Sequence, residues 1–133
     1  PVRLLADCKD HMKFSQPLIT PFSMLPESIK KSLPNKEIFD FGIKINKNFG
    51  FHNNYCELPS SLVIAYSLAV ANSGQANQII LAGFDGYNAD DPRGKEMDQI
   101  IKIYNEHPKA LPLISITPTS YEIPIKSIFG PNF

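Results

Sequence analysis

The sequence predicts an α/β domain, three-layered and broadly Rossmann-like, with a mainly parallel sheet. Three observations carry that expectation. From residue 60 onward, helical and strand patterns alternate: "SSLVIAYSLAVANSG", "QIILAGF", "DPRGKEMDQIIKIYNEH", "LPLISITP". Such alternation at short spacing implies parallel strands joined by right-handed crossovers. The run "QIILAGF" is continuously apolar, the pattern of a strand buried on both faces. The first third of the chain supplies further short strand-like runs between prolines.

The elements follow in chain order. Val2 to Ala6 reads as a short strand, and Asp7 to Ser15 as a polar connection with room for one helical turn. "PLITPF", Pro17 to Phe22, is an extended segment bounded by prolines. In "LPESIKKSLPN", Pro26 suits the first helical position, Glu27 the first turn and the lysines the last. Pro34 ends that short helix. "EIFDFGIKI" alternates Ile38, Asp40, Gly42 and Lys44 with Phe39, Phe41, Ile43 and Ile45, a period-two strand with one polar face. "NKNFGFHNNYCELPSS" is turn-like. The next helix has Ser60 or Ser61 as N-cap and Gly74 at its end. Leu62 to Ala71 leave it almost no polar face, so it packs on several sides. Asp90 or Asp91 caps the following helix, with Pro92 at its first position. Met97, Ile100, Ile101 and Tyr104 form a core stripe at i, i+3, i+4, i+7. "TSYEIPIKSIFGPNF" is a tail with a short edge segment or a helical turn.

The 133 residues fit a single domain. The start at Pro1, running straight into a strand-like segment, reads as a piece cut near a domain boundary of a longer chain. Thirteen basic and thirteen acidic residues balance, and no basic stripe stands out. A nucleic-acid partner is therefore not expected. Neither is a membrane, because no apolar run reaches the length of a spanning helix. The N-terminus lacks the h-region and cleavage site of a secretory signal. Cys8 and Cys56 match no metal spacing. The plain expectation is reduced thiols in a cytoplasmic protein, with a disulfide between them as the alternative.

In open parallel sheets, ligands bind beyond the carboxyl ends of strands. Three segments are expected there: Gly83 to Asp91, Thr117 to Tyr121, and, if the helix after it starts on the same edge, the loop "GFHNNYCELPSS". Asp85, nearest a strand end, is the leading candidate, as base, metal ligand or acceptor for sugar hydroxyls. The bland reading makes it a turn aspartate between Gly83 and Gly86. Asp90 and Asp91 read as caps. His52 is a candidate proton shuttle or a plain surface histidine. His107 suits the C-terminal end of its helix dipole, and His11 carries no stronger signal. Ser60 and Ser61 open a helix whose N–H groups suit a phosphate, or they simply cap it. Thr117 and Thr119 complete the candidate ligand-binding set. No metal site is expected. Asp85, Asp90, Asp91 and Glu96 lack an EF-hand spacing. Neither a Gly-x-Gly-x-x-Gly nor a Gly-x-Ser-x-Gly motif occurs.

Together, "IILAGFDGYNADDPRGKEMDQIIKIYNE" and "LISITPTSYEIP" resemble the C-terminal domain of aldolase-type, HMG-CoA-lyase-like proteins of bacterial surface-polysaccharide gene clusters. The resemblance covers roughly residues 57 to 124. It implies a Rossmann-like accessory domain following a TIM-barrel lyase domain. The divalent metal and the lyase chemistry would belong to that barrel, and this domain would hold no cofactor. Its partners would be a sugar-acid or nucleotide-sugar ligand, its own N-terminal catalytic domain and a second copy of the chain. The helix-from-serines, strand, helix, strand layout also resembles the nucleotide-sugar domain of bacterial sialyltransferases. That likeness would set Ser60 and Ser61 near a phosphate and Asp85 at the pocket rim. The glycine-rich nucleotide turn of those enzymes has no counterpart in "VRLLADCKD".

Overall fold

A computed structural model describes Asp7, Asp10 and residues 12–88 and 90–130. The strand expected at Val2 to Ala6, and with it Cys8 and His11, lies outside the described residues. The chain mixes short strands with helices, and parallel pairing prevails. β1 (Leu18–Thr20) is followed by a 3-10 turn at Phe22–Met24 and a one-turn helix α1 (Glu27–Lys30). Then come β2 (Ile38–Asp40), β3 (Gly42–Ile45), β4 (Gly50–Phe51) and β5 (Tyr55–Leu58). Helix α2 (Val63–Ser73), β6 (Ile79–Leu81), α3 (Pro92–Asn105) and β7 (Leu113–Ser115) complete the order.

Among the described residues, pairing falls into three small sheets. β1 pairs with β2 in parallel, Ile19 opposite Phe39. β5 lies between β3, in parallel, and β4, antiparallel. β6 and β7 are parallel, with Ile80 opposite Ile114. A bridge from Ser115 to Ile125 extends the far side of β7.

The period-two run at 38–45 divides at Phe41, which is buried. Its first half joins β1 and its second half joins β5. The expected polar face is not uniform. Ile38 packs against the buried pair Ile29 and Leu33, whereas Phe39 faces outward. α1 is shorter than expected, and Pro26 stands at its N-cap rather than inside it.

One main core gathers Phe41, Phe49, Cys56 and Leu58 with Ala65, Leu68 and Ala69 of α2 and the predicted stripe of α3. All four stripe residues, Met97, Ile100, Ile101 and Tyr104, are buried. α2 is less enclosed than its composition suggested: Val63 is 80% exposed, while Ala65, Leu68 and Ala69 face the core. The expectation for β6 is corrected as well. Ile79 and Leu81 are half-buried and Ile80 is 41% exposed. Among the described residues the strand buried throughout is β7, because it lies between β6 and the bridge at Ile125. Continuous apolarity marked a strand but not its position in the sheet.

The ends of the two long helices differ. Asp91 caps α3: its side chain accepts from the Arg93 N–H at 2.9 Å, with Pro92 at the first helical position. This is the expected arrangement, and Asp91 rather than Asp90 fills it. At α2 the N-cap is Leu62, with no side-chain hydrogen bond, so neither Ser60 nor Ser61 caps. α2 closes on paired backbone bonds, from Gln75 N–H to Asn72 O and from Ala76 N–H to Ala71 O. That is a Schellman closure, and Gln75, not Gly74, takes its left-handed position, at φ 59°.

The hydroxyl of Tyr104 joins these parts. It accepts from Asn72 Nδ2 of α2 at 3.2 Å and from the Leu111 N–H, ahead of β7, at 3.1 Å. Tyr104 is fully buried. Removing the oxygen leaves two donors short of an acceptor inside the fold. Tyr104→Phe is therefore expected to lower stability by about 1–3 kcal/mol in urea unfolding. An unchanged midpoint would show that water replaces the hydroxyl.

Candidate functional site

β6 and β7 run in parallel, so their carboxyl ends open on the same edge. The segments that leave them are tied to one another there. The Gly83 N–H donates to Thr117 Oγ1 at 2.9 Å. The Ser120 N–H donates to the Asp85 carbonyl at 2.8 Å. The rings of Phe84 and Tyr121 sit 5.1 Å apart. Two of the three expected segments thus meet at the strand ends. Gly83 and Gly86 hold positive φ, 66° and 114°. At Gly86 there is also no room for a side chain, since a Cβ would stand on Ser120 Oγ.

The joined segments frame a hollow of about 260 Å³, lined by Gly83, Phe84, Asp85, Gly86, Tyr87, Met97 and Tyr121. Asp85 is exposed at its rim, and its carboxylate makes no hydrogen bond or ion pair among the described residues. Tyr121 is buried, and burial raises its phenol pKa. A neighbouring hollow of about 330 Å³ adds Asn88, Asp91, Lys95, Asp98 and Ser120. Lys95 is exposed and forms no ion pair among the described residues. Arg93 is engaged elsewhere. Its guanidinium holds both Asp91 oxygens, the shorter contact at 2.6 Å, and lies 4.5 Å from the Tyr87 ring. Those hydrogen bonds from Arg93 keep the Asp91 carboxyl below the ordinary range. The arrangement offers a carboxylate acceptor, an aromatic face and one unpaired ammonium around a shallow space.

The other candidates fare differently. Thr117 and Thr119 stand at the site, but their hydroxyl oxygens accept from Gly83 and Tyr121 N–H groups and so shape the loop. Ser60 Oγ donates to Glu96 Oε1 of α3 at 2.9 Å, bringing the end of β5 against that helix. It lines a separate small hollow with Lys47 and Gln99. Ser61 is exposed. His52 stacks flat on Tyr55 at 4.1 Å and does not line the strand-end hollow. His107 is held by local contacts at the end of α3. Burial lowers its pKa, Nδ1 accepts from the Lys109 N–H at 3.1 Å, and the ring meets Phe51 edge-on at 4.8 Å. Among the described residues no group of three or more His, Cys, Asp or Glu is placed to hold a metal ion.

Tyr87, Lys95, Asp98 and Tyr121 were not singled out from the sequence. A signal for part of this set was present. Asp91, Gly94, Lys95 and Asp98 recur at i, i+3, i+4, i+7, one polar face of α3 beside its core stripe. Nothing local pointed that face toward the segment at Tyr121.

Comparison with protein-family models, curated proteins and solved structures gives no match to this chain.

Two outcomes follow from this local structure. Gly86→Ala is expected to cost about 1–3 kcal/mol of stability, since it forces a side chain into a left-handed backbone and onto Ser120. Gly83→Ala, with open space around it, should cost less. Equal effects would show that backbone conformation alone matters at both positions. Cys56 is buried and free, and burial raises its thiol pKa from 9.0 to about 11. The folded pKa exceeds the unfolded one, so this stabilisation is complete at neutral pH and fades between pH 9 and 11. Cys56→Ser or Cys56→Ala should flatten that part of the stability–pH curve. An unchanged slope would assign it to other groups.

Proposed function

We propose that the chain is a ligand-binding accessory domain of a larger aldolase-type, HMG-CoA-lyase-like enzyme of surface carbohydrate synthesis. In this reading the domain follows a three-layer Rossmann-like plan, acts in the cytoplasm and leaves the lyase step to a separate barrel. One observation supports it above the others. Asp85, Tyr87 and Tyr121 surround a hollow at the carboxyl ends of two parallel strands, the customary ligand edge of such sheets.

The lining suits a sugar acid. The Asp85 carboxylate accepts from hydroxyls. Tyr87, 41% exposed, offers its ring as an apolar flank, and Lys95 of the adjoining hollow complements a carboxylate. A nucleotide sugar draws support from a different feature. α2 opens without a side-chain cap, so its first N–H groups are not met by a side chain there. Ser60, the residue that likeness would place beside a phosphate, is bonded to Glu96 instead.

A thermal-shift series with glucuronate, N-acetylneuraminate, CMP and UDP tests both readings. A sugar acid near a hundred times its Kd is expected to add about 2.7 kcal/mol, a clear rise in Tm. Asp85→Asn and Lys95→Ala should each reduce that rise. A shift with CMP or UDP alone would favour the nucleotide-sugar reading. No shift with any of the four removes support from both.

A further inference from the structure

The strand-end hollow does not stand alone. It shares Tyr87 and Tyr121 with the hollow beside it. That one shares Asp98 and Ser120 with a third, of about 860 Å³. The third runs between the outer face of α3 and the segment at 120–124, past Lys102, Asn105 and Glu122. The three adjoin through these shared residues and follow one another along α3 as a trough. Along α3, from Lys95 to Glu106, it extends about 17 Å at the helical rise. The third hollow alone lies near the top of the roughly 300–1,000 Å³ that accommodates a drug-sized ligand. A single sugar ring at Asp85 leaves most of this length empty.

The lining indicates what fills it. Asp98 and Glu122 form no ion pair among the described residues, and Lys102 is turned toward Glu106 at 4.0 Å. Beyond Lys95 the trough presents carboxylates and the amides of Gln99 and Asn105, acceptors for hydroxyl and ammonium donors. A polyanion is disfavoured there by like charge. An extended peptide would look for backbone to pair with and finds little. Ser120, Tyr121 and Ile123 N–H groups are all bonded within the fold, and the Pro124 carbonyl accepts from Ser115.

We propose that the trough binds a carbohydrate chain of several rings, with its terminal ring, the sugar acid, at Asp85 and Tyr87 and the rings beyond Lys95 uncharged or carrying amino groups. The proposal rests on the reading that the strand-end hollow takes a sugar.

Calorimetric titration of the full chain with N-acetylglucosamine and glucosamine oligomers of one to six rings tests it. Affinity is expected to rise at least tenfold from one ring to four and then level off. Glu122→Gln and Asn105→Ala, both at exposed positions, should lower the affinity for six rings at least threefold and shrink the gain with length. If sugar acids raise Tm but oligomer affinity is flat with length, the trough proposal falls and the strand-end reading stands. If neither sugar acids nor oligomers bind, both fall. A lysine-rich peptide that binds more tightly than the longest oligomer would also overturn the carbohydrate chain as occupant.

Discussion

The Tyr104 hydroxyl is the point where the two long helices and the last strand are held in one arrangement. A phenol oxygen with no access to water accepts from the Asn72 side chain and from the Leu111 backbone. Asn72 also reaches the Lys109 carbonyl at 2.8 Å, so the turn between α3 and β7 is fixed from two directions. Around it, the Phe49 ring meets the Tyr104 ring edge-on at 5.3 Å, and Phe51 does so at 6.1 Å. Edge-to-face contacts of this kind favour one mutual orientation over others. β7 therefore enters the core at a set height, and with it the segment from Thr117 to Tyr121.

That height decides where the candidate ligand edge lies. β6 is short and partly exposed, and it contributes little burial of its own. Its exit segment is positioned instead by the segment after β7, through Thr117 and Ser120. The polar face of α3 then forms one wall, held in place by the buried stripe beside it. Core packing on one face of a helix and a binding surface on the other are thus set by a single element. The Asp91–Arg93–Tyr87 contacts complete the wall and occupy the guanidinium. Lys95, in the adjoining hollow, is left without an ion pair among the described residues.

α3 was the most legible part of the chain. Its cap, its proline and its stripe are all local signals, and each occurs as the pattern implies. β7 and β1 were legible as short apolar runs between breakers. β6 was recognisable as a strand, but its apolar run could not show that only one neighbour pairs with it among the described residues. The serines before α2 illustrate the same limit. Their type and place suit a cap, yet Ser60 bonds to a glutamate 36 residues away. Of the candidate site, Asp85, Thr117 and Thr119 were named because they follow strands. Tyr87 and Tyr121 fell inside the two segments expected at the strand ends without being named as candidates, and Lys95 lay outside them, because its place depends on how α3 packs against those segments.

The bonds between the two exit segments also bear on what a ligand must organise. Gly83 and Asp85 are joined to Thr117 and Ser120 through backbone groups, so this rim is set when the domain folds. A ligand bound at this rim would then need no ordering of the backbone joined by these two hydrogen bonds. What remains to be immobilised is a few exposed side chains, Asp85, Tyr87 and Lys95, at roughly 0.5–1.5 kcal/mol each. A weakly attractive surface gains from such preorganisation, because little of its contact energy is consumed in arranging the protein. The conformational entropy of the rim is settled by the same hydrogen bonds that give the sheet edge its shape.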